Sequence, residues 1–422
     1  MHILLIPPEE FVPENAPLSG IFQYDQAKAL VAMGVNVGVI SVTRPIAIRP
    51  AIISLVRKLI GKKVYYKVLE EKSSLHIALL IIRQLRSIAL IDFQKNEGIN
   101  VLRIQCRYWN DGLPADELRY FKYCIKTASR FYLQKTGKPQ LIHAHNAWLA
   151  GLSAIELSHS WNIPFGITEH STFYARNLIP QQFYPELQIC YAASAFNFVV
   201  SDSLGNLLKE LKLLEDNYVY LPNMLDPLFE KTEPCTDFGN EIFTFLTIGE
   251  LTKKKSQDNL ILAFSRTFKG NNAVQLIIGG EGDLDKKLRH LVIEEGISSQ
   301  VLLTGRLSRR EVLAQMCKCD VFVLPSLFET FGVVLIEAMA MGKPVIATKS
   351  GGPESFVNDT NGILIAPANI DALSEAMKLI YKGEKIFNPS TIRSFVLQNY
   401  SSDVIASKLI NVYTKVTATS NE

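Results

Sequence analysis

Short apolar runs and amphipathic stretches alternate along the chain from its first residues. HILLI reads as a strand, and Gly20 in PLSGIFQYDQAKAL opens a helical pattern that ends at Gly34. VNVGVISV follows as a second strand, so the chain begins with a strand–helix–strand unit, the start of a parallel sheet. The pattern recurs as INVLRI, a helix near 114–135, QLIHAH, a helix to His159, PFGITEH, FNFVVS, a helix near 204–213, and YVYLPN. Residues 226–240 carry Pro227, Pro234, Gly239 and mixed charge, and read as a linker.

A second series begins at Phe243. Its strands read FTFLTIG, VQLIIGG, VLLTG, VFVLPS, PVIAT and GILIAP, with helices between most of them. Two doubly wound, Rossmann-like α/β domains fit this pattern. The expected division is residues 1–225, joined by a C-terminal helix at 400–422, and residues 226–399. Ligands of such sheets sit at the C-terminal ends of the strands, so a cleft between two facing domains is the expected site.

The bulk numbers narrow the class. With 422 residues, 48% hydrophobic, the chain has material for large cores and is too apolar for a disordered protein. No wholly apolar run approaches the ~18–20 residues that span a bilayer. MHILLIPPEEF has neither a basic leader nor a cleavage site and reads as a strand, so a cytoplasmic protein is expected. The six cysteines are scattered, and Cys317-Lys-Cys319 has no second pair near it, which argues against a metal site. A net charge of +3 does not call for nucleic acid. No strand-to-helix turn carries G-x-G-x-x-G with an acid about 20 residues on, which disfavours a dehydrogenase.

One stretch poses a chemical question. PSLFETFGVVLIEAMAMGKPV, from Pro325 to Val345, reads as a strand end followed by a helix starting near 330–332 and stopping at Gly342. The helix is apolar on every side yet carries Glu337, and a buried carboxylate needs a partner. Free N–H groups at the helix start favour a phosphate. Glu329, just before them, and Glu337, roughly 8 Å along the axis at about 1.5 Å per residue, bracket the length of a sugar–diphosphate–ribose ligand. Hydrogen bonds from vicinal hydroxyls would satisfy such carboxylates. A blander alternative pairs Glu337 with an arginine and leaves Glu329 as a helix-start acid. The strand ends IIGGEGD, LTIGELTKKKS and KSGGPES add Gly280, Gly249, Gly351 and Gly352, and Lys253, Lys254 and Lys255 as candidate counter-charges for a diphosphate.

From Glu329 to Glu337, followed by AMAMGKPVIATKSGGPE, the chain resembles the E-x7-E signature of the retaining glycosyltransferases of family four, which have the GT-B fold. The resemblance covers nearly the whole chain and is strongest from about 243 to 367. It implies that Glu329 contacts the donor sugar, that Glu337 binds ribose, and that Thr330, Phe331 and Gly332 meet the diphosphate and sugar. Gly20 resembles the family's glycine-rich first loop, near the donor phosphate and acceptor. Lys255 matches a diphosphate-gripping lysine, but Glu250 stands where the family usually has arginine. Either Lys253 or Lys254 supplies the missing charge, or donor binding is weakened. His143 and His145 in QLIHAHNAW and His170 in GITEHST resemble the family's histidine-bearing strand ends. One of them is expected to contact sugar, His145 first and His170 second.

The resemblance further implies retaining transfer of a hexose from a nucleotide-diphosphate sugar, UDP favoured, to a hydroxyl of a glycan or lipid-linked acceptor. Surface or capsular polysaccharide synthesis would be the setting. The nucleotide sugar is a substrate; no cofactor is implied, and the absence of an Asp-x-Asp pair points away from a metal. Glu250 keeps a non-catalytic glycan- or partner-binding relative in play, and the fold admits a sugar-nucleotide epimerase or hydrolase. Finally, residues 44–67 hold seven basic residues and no acids among many aliphatics. That composition suits either a contact with the inner face of a membrane or a solvated helix on the domain surface.

Overall fold

A computed structural model describes residues 1–12, 20–63, 69–86, 89–109, 113–215, 217–234 and 242–419. Contacts divide the chain into two units: residues 1–198, 208–219 and 406–422 form the first, and residues 199–207 and 220–405 the second.

Among the described residues the first unit is built on eight strands. They are β1 (His2–Ile6), β2 (Asn36–Val42), β3 (Ala89–Asn96), β4 (Ile99–Cys106), β5 (Leu141–His145), β6 (Phe165–Glu169), β7 (Asn197–Val199) and β8 (Tyr218–Tyr220). Their order is β3-β4-β2-β1-β5-β6-β7-β8. The central strands pair in parallel: Leu5 of β1 lies beside Val39 of β2 on one side and His143 of β5 on the other. Ile3, Leu4, Leu5 and Ile6 are all buried, because helices cover both faces of a parallel sheet and no position in such a strand faces water. β3 differs. It is an antiparallel edge strand on β4, and its residues alternate between half-buried and exposed. The sequence reading passed over it, since ALIDFQKN lacks a continuous apolar run.

Between β2 and β3 the chain forms two helices, Ile48–Leu59, within the basic stretch for which a helix was one expectation, and Ser74–Arg86, which escaped the sequence reading; they pack on a small core of their own: Ile48, Ala51, Leu69, Ile77 and Ile81. Backbone bonds from Ile48 N to Tyr108 O (2.9 Å) and Arg49 N to Trp109 O (3.0 Å) fix the root of the first helix. Residues 64–68, the end of the basic stretch, lie outside the described residues.

The described residues of the second unit form six parallel strands: β9 (Phe243–Ile248), β10 (Val274–Gly279), β11 (Val301–Gly305), β12 (Val321–Leu324), β13 (Val345–Thr348) and β14 (Gly362–Ile365). Their order is β11-β10-β9-β12-β13-β14. Phe245, Leu276, Val323 and Ile346 carry the sheet into its core. The order reverses between β9 and β12, which makes their C-terminal ends the ligand position typical of such sheets. Residues 226–240 are not wholly a linker, because Asp226 caps a short helix, Pro227–Lys231, by accepting from Leu228 N at 2.7 Å. Residues 235–241 fall outside the described set. The last helix, Ser402–Thr419, continues from the second unit into the first, where Tyr413 is fully buried.

Candidate functional site

In the second unit, the ends of β9, β12 and β13 bring together residues far apart in sequence. After β12 the chain runs through Pro325 and Ser326 to Glu329, whose N–H donates to Ser350 O (2.9 Å), while Gly352 N donates to Glu329 O (2.8 Å). The loops after β12 and β13 therefore hold Glu329 by its backbone. Its carboxylate accepts from Ser326 Oγ (2.7 Å) and pairs with Lys255 Nζ through the same oxygen, Oε1. The Lys255 and Glu329 side chains are 17% and 11% exposed, a partly buried pair that water screens weakly. Lys255 is placed by the short turn Lys253–Lys255 after β9. Gly249 leaves room for its stem, since a Cβ there would meet Lys255 Cε at an ordinary 3.7 Å.

Gly332 then starts the helix Val333–Ala340 from a left-handed conformation, φ 92°. A side chain would be strained there, which explains the glycine. Gly342 ends the same helix, with Lys343 N donating back to Ala338 O at 3.1 Å. Thr330 and Gly332 are half-buried. The Phe331 ring is instead a core group, buried and tilted against the Phe356 ring with centroids 4.9 Å apart.

Glu337 is 2% exposed and its partner is Arg309. Burial pushes its carboxyl up, and the charge and hydrogen bonds of Arg309 oppose that rise. The same guanidinium donates from Nε and Nη2 to Asp226 Oδ2 (2.9 and 2.5 Å) and lies 4.9 Å from the Phe229 ring centroid. Arg309 is the first residue of the helix Arg309–Lys318, which a capping box anchors: Ser308 N donates to Glu311 Oε2 at 2.7 Å. The alternative that pairs Glu337 with an arginine is therefore the arrangement in the structure. Neither Arg309 nor Asp226 stood out in the sequence, for their only signal is proximity in space.

Gly280 has a reason within the protein. Its φ is 137°, and a Cβ there would sit 1.9 Å from Gly249 O, so the loops after β9 and β10 require glycine to pass one another. Glu250 points outward, with its side chain 61% exposed and 3.8 Å from Lys254 Nζ.

In the first unit, β5 and β6 end side by side in a cluster of histidines around a buried carboxylate. His143 is enclosed: Nδ1 bonds Tyr413 Oη (2.6 Å) and Nε2 bonds Thr168 Oγ1 (2.7 Å). With both nitrogens engaged at zero exposure, it has no atom left for a sugar, and the expectation of sugar contact at His143 gives way to a core role. Burial, with His170 adding to it, holds its pKa down at about 3. His145 Nδ1 meets His170 Nε2 at 3.0 Å, while His145 Nε2 is buried and has no hydrogen-bond partner among the described residues. Burial, then the rings of His143 and His170, keeps His145 well below the ordinary imidazole range. His170 is half-buried and its ring centroid lies 4.8 Å from that of Phe22, on the helix that Gly20 caps.

Glu169 escaped the sequence reading, although it precedes His170. Its oxygens accept from Ala147 N (2.9 Å), Ser171 N (3.0 Å), His170 N (3.1 Å) and Tyr191 Oη (2.8 Å). It thereby fixes the turns after both strands. Backbone at Asn146 and Leu149 in the first of these turns has φ of 68° and 67°, strain of the kind that collects at functional sites.

Two family models match, "Glycosyltransferase Family 4" over residues 20–227 and "Glycosyl transferases group 1" over residues 233–389. An uncharacterised glycosyltransferase of Methanocaldococcus jannaschii is 25% identical over 350 residues, covering 77% of this chain and 86% of that protein. Among solved structures, sucrose-phosphate synthase from Thermosynechococcus elongatus matches with TM-score 0.74 and 18% identity, over 99% of this chain and 100% of that one. HepE of Anabaena, in complex with UDP, matches with TM-score 0.68 and 17% identity, over 98% of this chain and 100% of that one. At such identities the two structures speak to the fold, which is GT-B.

Proposed function

The chain belongs to glycosyltransferase family 4, and on that premise we propose that it transfers a hexose, with retention of configuration, from a nucleotide-diphosphate sugar to a hydroxyl of a glycan or lipid-linked acceptor. The observation that carries this reading is the Lys255–Glu329 pair, braced by Ser326 at the β9–β12 reversal. As the glycosidic bond breaks, negative charge grows on the departing diphosphate. A cation already oriented and partly desolvated there stabilises it without reorganising, which is the larger part of such catalysis. Lys255 takes that role, and Glu329, relieved of its lysine, accepts from sugar hydroxyls. Thr330, Phe331 and Gly332 offer backbone N–H groups at the helix start, and Gly249 leaves space for phosphates. A phosphate oxygen of the donor takes the acceptor proton.

Glu337 binds ribose hydroxyls through the lone pairs that Arg309 leaves unused, since a carboxylate has about four acceptor positions. UDP is the favoured nucleotide, as in the HepE structure. On the acceptor side, burial favours His170 as the ring that sugar reaches. His145, fully buried, stands behind it and acts through the bond of its Nδ1 to the His170 ring. The exposure of Glu250 beside Lys254 supports an active enzyme over a non-catalytic relative, because it leaves Lys255 unopposed by that carboxylate. The basic stretch 44–67 supports contact with the inner membrane surface, where a lipid-linked acceptor would lie.

The test begins with thermal shifts over UDP-, GDP- and ADP-sugars, where ligand at 100 times its dissociation constant stabilises by about 2.7 kcal/mol. The active donor is then followed by NMR with an acceptor, with and without EDTA. The expected product keeps the donor's anomeric configuration, and activity survives chelation. An inverted product, or a nucleotide sugar merely cleaved or epimerised, would overturn the reading.

A further inference from the structure

The two helices between β2 and β3 are apolar on the side they bury and also on the side they show. Ser74–Arg86 buries Ile77, Ile81 and Gln84 at i, i+4 and i+7, yet exposes Leu75, Leu79 and Ile82 at the same spacing on another face. Its partner, Ile48–Leu59, buries Ala51 and Ser54 and exposes Ile52, Val56 and Leu59, followed by Ile60. Leu75 and Leu59 are 71% and 68% exposed. A surface helix in water turns a polar face outward, and an outward face of this kind needs a cover.

The charge around it says which. Residues 44–86 hold ten Lys and Arg against Glu70 and Glu71, and neither helix contains an acid. Arg57 Nε donates to Lys63 O (2.7 Å) and Lys58 Nζ to the carbonyls of Glu70 (2.9 Å) and Lys72 (2.6 Å). Those bonds tie the hairpin together and leave both cations un-neutralised. Trp109, half exposed, sits at the root of the first helix, where an amphipathic ring suits a membrane interface. The pair is also bound to the sheet at that root, and Gln84 Nε2 reaches Ile46 O at 3.0 Å, so it forms a preformed platform.

We propose that this two-helix platform is a membrane-docking wedge: Leu75, Leu79 and Ile82 enter the acyl boundary of an anionic bilayer beside Ile52, Val56 and Leu59, while Arg49, Arg57, Arg83 and Arg86 bind lipid phosphates. The inference deepens the acceptor side of the proposed function, and lipid binding is measured apart from sugar transfer, so either can fail alone. It differs from a basic-patch contact in giving the leading role to the second helix, which holds two of the cations and most of the exposed leucines.

The experiment is flotation of the full chain with phosphatidylcholine vesicles with and without phosphatidylglycerol, at low and high salt. The wild type is expected to float with anionic vesicles and only weakly with neutral ones. Leu75→Gln/Leu79→Gln/Ile82→Gln should weaken binding by roughly tenfold for each side chain withdrawn from lipid. Its thermal unfolding should match wild type, because the three positions are exposed. Arg83→Gln/Arg86→Gln should weaken anionic binding alone and flatten its salt dependence. Unchanged flotation of the triple variant would overturn the wedge. So would a wild type that does not float and sediments as a dimer which the triple variant dissolves, since a second copy would then be the cover.

Discussion

Arg309 holds Glu337 through both carboxylate oxygens, with Nη2 2.7 Å from Oε1 and Nη1 3.3 Å from Oε2, although 28 residues separate them in sequence. The pair answers how an apolar helix tolerates a buried charge. Removing Arg309 alone leaves the buried Glu337 uncompensated, whereas removing both leaves only Asp226, the more exposed of the two carboxylates, without its guanidinium. Arg309→Met should therefore lower the unfolding free energy by about 3–5 kcal/mol in urea titration. Arg309→Met/Glu337→Gln should recover much of that loss. Additive losses would show that the two side chains are not coupled.

Lys255→Ala should reduce turnover by roughly 100–1,000-fold, the usual cost of one contact to charge that develops in the transition state. Glu329→Gln should also act mainly on turnover, whereas Glu337→Gln should act on donor affinity, because an amide accepts more weakly from ribose hydroxyls. Steady-state kinetics separates these effects. Wild-type kinetics in Lys255→Ala would mean that the diphosphate binds elsewhere.

Glu250→Arg should leave turnover unchanged or tighten the donor. The side chain is exposed and its nearest cation is Lys254, so the substitution removes a surface ion pair of little worth. Calorimetry with the donor nucleotide gives the sign. A large loss of affinity would give Glu250 a role in the site.

The first unit should lose stability on mild acidification. His143 and His145 are fully buried and their folded pKa values lie below the unfolded value near 6.5. Between those values the unfolded chain binds more protons, so stability is complete above about pH 6.5 and falls as pH drops toward the folded pKa, about 3 for His143. Each histidine contributes a slope of up to about 1.4 kcal/mol per pH unit in that window. Unfolding measured from pH 7.5 to pH 5 should show that slope. A flat profile would mean that both rings titrate in the fold as they do in the unfolded chain.

Much of the architecture was written in local pattern. Among the described residues, thirteen of the fourteen strands were legible as short, mainly apolar runs, clearest in HILLI and VQLIIGG, since a strand covered on both faces has few polar positions to interrupt it. β3 lies at an edge, alternates, and has no such run. The helix Ser74–Arg86 was obscured for the opposite reason: its apolar residues occupy two faces, which blurs the single-stripe periodicity of a surface helix.

The candidate site divides along the same line. Glu329, Gly332 and Glu337 could be singled out by residue type and spacing, because a helix start and a buried carboxylate are local properties, whereas Lys255 was set apart from Lys253 and Lys254 only by the family resemblance. Their partners could not. That Lys255 meets Glu329 across the β9–β12 junction, that Arg309 rather than solvent answers Glu337, that Tyr413 seals His143 while His170 stays half-buried, are consequences of parallel strands carrying distant segments to one sheet edge. Hydrophobic periodicity is set within a few residues, and so the sequence by itself determined the layers. Charge pairing acts through space over a few ångströms, and only the tertiary structure decided which charges meet.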